Sequence, residues 1–432
     1  MTQETKDHLI RWTVTLLRII IGSLFVLSGI VKDIDLWGTV YKIEEYLHVW
    51  HVTEPRTIVF MGAMLLSGAE FLLGALLLLG CCRRAAPVLL TVLMAGMLPL
   101  TLYIYIFNPV SDCGCFGDFI VLSNGATFWK NVIITCALIF LIRFNKHVAP
   151  LFSPYLQWLV IVLLAGYAII IGLYGYNIQP LIDFRSFPVG EKLLPDDNDI
   201  EQVDDASDNI IFIYEKNGQK KEFRLNNLPD STWTFIDRLE TSSPGESVST
   251  ELVVYDLDGN DSTTDAIASA GEQMILVIPQ LSRAEVSWTY FLNELCEYME
   301  NHGGSMIALV AGDDASVEAW ADLSMASYPF FTAEATTLKE LARGNMALVY
   351  VKDGRVVWKR SMAMMDTSMT NDMLFKDEGP EIIFDNGSQY FKALTVTLVI
   401  VLTVLYLLDS TGRLVKWRLA RKRKMRESAT DE

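Results

Sequence analysis

Residues 111–118 read Ser-Asp-Cys-Gly-Cys-Phe-Gly-Asp and set Cys113 and Cys115 one residue apart between two long apolar runs. Cysteines at i and i+2 can bring their Cα atoms within the disulfide range of ~4.4–6.8 Å. Gly114 removes the side chain that would resist so tight a turn. A ring this short is strained, and strained, exposed disulfides have oxidising potentials suited to exchange. Closing so short a loop removes little unfolded-state entropy, so stability is a poor reason for it. Three uses stay open: a redox-active pair, a pair that only shapes the loop, and a metal site. No histidine or further cysteine stands nearby in sequence to complete the last.

Several charges could tune such thiols. Lys32 and Asp33 follow the first apolar run, Asp112 and Asp118 flank the cysteines, and Lys130-Asn131 opens the fourth run. A lysine near a thiol favours the thiolate, whereas the carboxylates oppose it. Ordinary interfacial charge is the alternative for each. Deeper in the apolar runs stand Arg18 and Glu70. Glu70 is ten residues from the inner end of its run, roughly 15 Å in at ~1.5 Å per residue. Arg18 sits at a similar depth on an oppositely directed helix, so the two are expected to pair, either as a structural lock or as a proton or quinone contact. Cys81 and Cys82 read as interfacial packing, Cys136 and Cys296 as small buried hydrophobes.

The elements that must position these residues are membrane helices. The chain has 432 residues and is 51% hydrophobic. Apolar runs fall at Trp12–Val31, Ile58–Gly80, Ala85–Phe107, Ala126–Leu141, Tyr155–Tyr176 and Phe391–Leu408. Their lengths suit a ~30 Å hydrocarbon core, and six transmembrane helices are expected. Lys6 and Arg11, Arg83 and Arg84, Arg143 and Lys146, and the tail from Arg413 to Arg426 all fall on one side if both termini are cytoplasmic. The first helix is too long for the apolar core of a cleaved signal and reads as a retained anchor. Asn177–Tyr390 then lies outside, with 38 acidic against 15 basic residues. So acidic a segment excludes nucleic-acid binding there, while the basic tail suits anionic lipid headgroups.

The expected organisation is a four-helix membrane domain at 1–145, a fifth helix at 146–178 and an acidic linker with a small β-rich part at 179–249. An α/β domain at 250–361, a return linker at 362–390 and a final helix with a basic tail at 391–432 complete it. Strands are expected at Ile210–Tyr214 and Glu222–Leu225, and in "LVVYDLDG", "MILVIP" and "SMIALVA". Helices are expected at Ala284–Asn301, Val317–Ser324 and Thr337–Arg343, and a hairpin in "MALVYVKDGRVVWK" turns at Asp353-Gly354. The Asp256–Asp261 stretch reads as a turn, because its glycine and missing final glutamate do not fit a calcium loop.

The stretches "LLRIIIGSLFVLSGIVKDIDLWGTVYKIEEYL", "GAEFLLGALLLLG" and "DCGCFGDFIVLSNGATFWKNVII" resemble DoxX-like membrane proteins of the MauE branch, over about residues 10–145. The resemblance implies a four-helix membrane domain of the bacterial inner membrane, associated with thiol–disulfide exchange, with Cys113 and Cys115 as the redox pair. "ARGNMALVYVKDGRVVWK" resembles the thioredoxin segment that carries the cis-proline. Here Met346 takes the proline's place, and "PQLSRAEVSW" offers no C-x-x-C. That implies a thioredoxin-like fold without its own redox couple, over about residues 250–361. The expected function is a thiol–disulfide relay whose outer domain docks a periplasmic or membrane client. The alternatives are a non-catalytic assembly subunit and a quinone or small-molecule carrier centred on Glu70. No cofactor beyond a quinone, and no metal, is suggested.

Overall fold

The structure is a computed structural model of the whole chain. It describes residues 3–52, 54–110, 113–120, 122–194, three strands between 210 and 240, and residues 252–365 and 387–430. The chain divides into two compact units, Met1–Phe184 with Asn386–Glu432, and Arg185–Asp385.

The first unit is helical: α1 (Gln3–Ile34), α2 (Leu36–Val49), α3 (Arg56–Leu79), α4 (Ala85–Phe107), α5 (Asn124–Arg143) and α6 (Gln157–Asn177), with α10 (Gly387–Thr430) from the end of the chain. Six helices, all but α2, are long and apolar enough to cross a membrane. Large apolar side chains such as Leu65, Val92 and Ile133 stand exposed on them, as lipid-facing positions do.

Glycines fix the register of α1 against α3. A Cβ at Gly29 would collide with the Phe71 backbone, and one at Gly74 would come within 2.7 Å of the Phe25 Cβ. Glycine here lets the two backbones touch. Residue numbers on the two helices therefore run in opposite directions past fixed contact points.

α2 lies in the stretch between the first two apolar runs, where no helix was expected. Asp35 caps it by accepting from the Gly38 N–H at 3.1 Å, which satisfies one free donor of the first turn. Leu36, Trp37 and Val40 then bury one face against α3.

In the second unit, β4 (Glu272–Ile278), β5 (Ser305–Val310), β6 (Phe330–Thr332), β7 (Ala347–Lys352) and β8 (Arg355–Ser361) form one sheet in the order β6-β5-β4-β7-β8. β4, β5 and β6 are parallel; β7 and β8 return antiparallel. Between β4 and β5 runs α7 (Thr289–Asn301), and α8 (Asp314–Ser324) and α9 (Ala335–Leu341) follow β5. The Met274 and Leu276 face packs on Leu292 and Leu295 of α7, and the Ile275 and Val277 face on Leu338 and Leu341 of α9. Helices on both faces explain the uninterrupted apolar strands.

The β7–β8 hairpin turns at Asp353 and Gly354, whose positive φ angles of 51° and 72° suit a tight two-residue turn. "LVVYDLDG" is not a strand. Tyr255 makes only isolated bridges, because Thr263 Oγ1 takes the Val254 N–H at 2.8 Å and Asp256 closes its own turn onto Asn260. Three further strands, β1 (Ile210–Lys216), β2 (Gln219–Arg224) and β3 (Thr234–Glu240), form an antiparallel sheet in the order β2-β1-β3.

Candidate functional site

The site is built on the loop between α4 and α5. Asn108 ends α4 in a left-handed conformation, and Ser123 caps α5 by accepting from the Ala126 N–H at 3.3 Å. Between them Cys113 and Cys115 carry free thiols whose sulfurs share a hydrogen bond at 3.3 Å. Gly114 makes that approach with a φ of 67°, and a Cβ there would meet the Lys42 side chain at 2.8 Å. The glycine thus serves the turn and the close cover of α2 at once.

Two helices hold the cysteine backbone. Tyr46 of α2 donates its hydroxyl to the Cys113 carbonyl at 2.9 Å, and Ser28 of α1 reaches the Cys115 carbonyl at 2.6 Å. Ser28 also lies 2.7 Å from Glu70 Oε2. Lys32 Nζ donates to both Glu70 oxygens at 2.8 Å. A fully buried ion pair therefore sits one side chain away from the thiol loop.

The two thiols are not equivalent. Cys115 is pulled down to about 6, first because Cys113 holds the shared proton against its sulfur, then because Lys130 and Lys32 add positive potential. Burial and Glu70 oppose that pull. Cys113 is pushed up by the same shared hydrogen bond and by burial. The shared hydrogen bond thus leaves one sulfur acidified and the other holding the proton, and acidified thiols are the more readily ionised.

Of the sequence-predicted residues, Cys113, Cys115, Lys32, Glu70, Lys130 and Asn131 come together. Lys130 lies 4.6 Å over the Phe116 ring, and Asn131 is buried and donates to Thr101 Oγ1 at 3.4 Å. Asp33 does not join them. One residue along α1 turns it away to Ser67 Oγ at 2.5 Å and towards Gly172 of α6, and its Oδ2 is buried without a partner. Lys32 and Asp33, expected near the outer surface, are both buried. Asp112 lies outside the described residues, as does the side chain of Asp118.

The expected Arg18–Glu70 pair is corrected. Arg18 Nη1 donates instead to the Ala149 carbonyl at 3.0 Å, beside Gly80. The α1–α3 register places Glu70 opposite Ser28 and Lys32, about ten residues from the level of Arg18, and Lys32 is the cation within reach. Cys136 was expected to be buried but is exposed on α5, whereas Cys296 is buried against the second unit's core. Sequence reasoning missed Ser28, Lys42, Tyr46 and Ser67. Asp35 followed by the apolar spacing of Leu36, Trp37, Val40 and Tyr41 was the signal for α2, and hence for Tyr46.

Two hollows meet at the thiols. The smaller is lined by Ser28, Lys32, Glu70, Cys115, Lys130 and Asn131. The larger, of about 120 Å³, lies between α2, Leu66, Met97 and the Cys113–Cys115 turn, with Lys32 shared by both.

Residues 10–144, which contain this whole constellation, match the family model described as methylamine utilisation protein MauE. Residues 209–241, which contain β1 to β3, match one described as a domain of unknown function, DUF8463. No curated protein and no solved structure matches the chain. Residues 10–144 are MauE-like, and the chain is a multi-pass membrane protein with an α/β domain.

Proposed function

We propose that the protein is a membrane thiol–disulfide exchange protein whose working pair is Cys113 and Cys115. The observation that carries this reading is the 3.3 Å sulfur contact with its unequal thiols. As a reductant, the Cys115 thiolate attacks a client disulfide, one client sulfur leaves, and a mixed disulfide forms. Cys113 then attacks the Cys115 sulfur and releases the second client thiol. One S–S bond breaks and one forms, and two electrons and two protons pass to the client. The same steps in reverse make the client's disulfide.

The resemblance to MauE-like proteins supports this chemistry. The β5-β4-β7-β8 order, with β4 and β5 parallel and β7 and β8 antiparallel, supports a thioredoxin-like second domain. So does the approach of the Glu285 N–H to Met346 Sδ at 3.0 Å, which brings the loop after β4 against the residue preceding β7. Without cysteines in that loop, the domain docks a client rather than exchanging with it. The basic residues at alternate helix ends support cytoplasmic termini and an extracytoplasmic α/β domain.

Separate Cys113→Ser and Cys115→Ser variants test the reading. Cys113→Ser leaves a reactive Cys115 that cannot be resolved, so mixed disulfides with a client should accumulate and dissolve on reduction. Cys115→Ser should capture much less. No capture by either variant would favour a non-catalytic assembly subunit, in which the loop only holds shape.

A further inference from the structure

Resolving a mixed disulfide sets a problem that the reduced pair does not have. In the reduced pair the sulfurs share a hydrogen bond at 3.3 Å, which favours an anion on Cys115. Once Cys115 is bonded to a client sulfur, that anion is gone. Cys113 must then become the nucleophile, although burial opposes its charge. The group placed to help is on α2. The Tyr46 hydroxyl lies 2.9 Å from the Cys113 carbonyl. It is also within hydrogen-bonding reach of the sulfur of the same residue, where it favours the thiolate. Its ring packs in the same apolar cluster as Cys113 and stacks on Trp50 at 6.2 Å. Trp50 in turn meets Tyr103 of α4 at 6.5 Å. These contacts hold the ring whichever acceptor the hydroxyl serves, so a turn of the O–H bond alone carries the donor from carbonyl to sulfur. The charge of Lys32 also favours a Cys113 thiolate, but two of its three N–H bonds are held by Glu70.

Resting on the redox reading above, we infer that Tyr46 is a catalytic residue of the resolving step, its hydroxyl stabilising the negative charge that develops on the Cys113 sulfur. In that step the Cys113 S–H bond is lost and the Cys113–Cys115 bond forms. The bond between Cys115 and the client breaks, and its electron pair leaves on the client sulfur. The proton from Cys113 ends on that sulfur, which departs as a thiol. No proton passes through Tyr46, whose part is a fixed donor aimed at the place where charge appears. In the reverse direction a client thiolate attacks Cys115 of the disulfide. Cys113 is then the leaving group, and the same hydroxyl stabilises it.

The test uses the full chain in lipid nanodiscs, reduced and freed of reductant, with one equivalent of dithiobis(nitrobenzoate) as the probe disulfide. Each thiol released from the probe is coloured. Wild type should release one as Cys115 attacks and a second as Cys113 resolves. Cys113→Ser, which keeps only the first release, and Cys115→Ser, which shows what the other cysteines contribute, identify the two phases. Tyr46→Phe, which keeps the ring contacts, should slow the second release about tenfold, the size of a hydrogen bond to a charged group. The first release should hardly change. The pH midpoint of the second release should move upward, while alkylation of Cys115 keeps its midpoint near pH 6. A purely structural role would loosen the turn and raise the Cys115 midpoint too. That result, or an unchanged second release, would overturn the assignment. A ring-fluorinated tyrosine in place of Tyr46 is a stronger donor of nearly the same shape and decides the matter if Tyr46→Phe fails to fold. It should speed the second release, and no change would overturn the assignment equally. Wild type with both releases, unaltered by either change at Tyr46, leaves the redox reading standing. Wild type with neither release removes both.

Discussion

Lys32 Nζ lies 2.8 Å from both carboxylate oxygens of Glu70, with each side chain only 3% exposed. The pair joins α1 to α3 at the level where Ser28 reaches up to the cysteine loop. Because two charges out of water must satisfy each other, removing one leaves the other stranded.

Glu70→Gln should therefore cost roughly 3–5 kcal/mol of stability and lower the folded yield. Lys32→Met in the same chain should restore much of it, whereas Arg18→Gln should not. Thermal unfolding of wild type, Glu70→Gln, Lys32→Met and the variant carrying both, in detergent, provides the double-mutant cycle. Strictly additive losses for Lys32 and Glu70 would mean they do not act as a pair.

The acidity of Cys115 gives a pH prediction. Its thiol is held at about 6, against about 8.5 for an unperturbed cysteine. Alkylation by iodoacetamide requires the thiolate, so the rate at Cys115 should rise through a midpoint near pH 6 and level off above it. Lys130→Gln removes a cation that favours the thiolate, and the midpoint should move upward. A midpoint above pH 8 in the wild-type protein would contradict the assignment.

Gly114 carries two constraints that can be separated. Alanine there would have to adopt a left-handed φ of 67° and meet the Lys42 side chain. The backbone part alone costs about 1–2 kcal/mol. Gly114→Ala should lower the melting temperature and widen the gap between the sulfurs, seen as faster alkylation of Cys113. Adding Lys42→Ala should recover only the steric part.

Helix contact should make glycines unequal. Gly29→Ala places a methyl group into the Phe71 backbone, whereas nothing lies within 4 Å of a Cβ at Gly62. Folded yield should fall sharply for the first and stay near wild type for the second. Equal yields would mean that α1 and α3 do not pack in this register.

Membrane sidedness is open to labelling. Tyr290 of α7 is 72% exposed, and His8 lies near the start of α1. In intact cells, an impermeant maleimide should reach Tyr290→Cys and not His8→Cys. The reverse pattern would place the cysteine loop in a reducing compartment and remove its setting for disulfide chemistry.

Much of the fold was legible because its rules are local. Apolar runs long enough to cross a bilayer need no knowledge of their neighbours. Likewise, Asp353-Gly354 between two strand-like runs specifies its own turn. "LVVYDLDG" misled for the opposite reason: its alternation suits a strand, but Thr263 and Asn260 claim the backbone and side-chain groups that a strand would use. α2 was hidden by its place between membrane helices, although its cap and apolar spacing are plain once sought.

For the site, the sequence by itself determined that two cysteines lie one glycine apart, beside a membrane helix and within a charged neighbourhood. Adjacency along the chain is enough for that. Only the tertiary structure decided which charges matter. Depth counted from helix ends gave Glu70 to Arg18, but the contacts at Gly29 and Gly74 set where α1 meets α3, and that register gives Glu70 to Lys32. Lys32 and Asp33, neighbours in sequence, part because successive side chains point about 100° apart around a helix. One turns to the thiols and the other to Ser67, and a difference of facing rather than of composition makes one part of the site and leaves the other outside it.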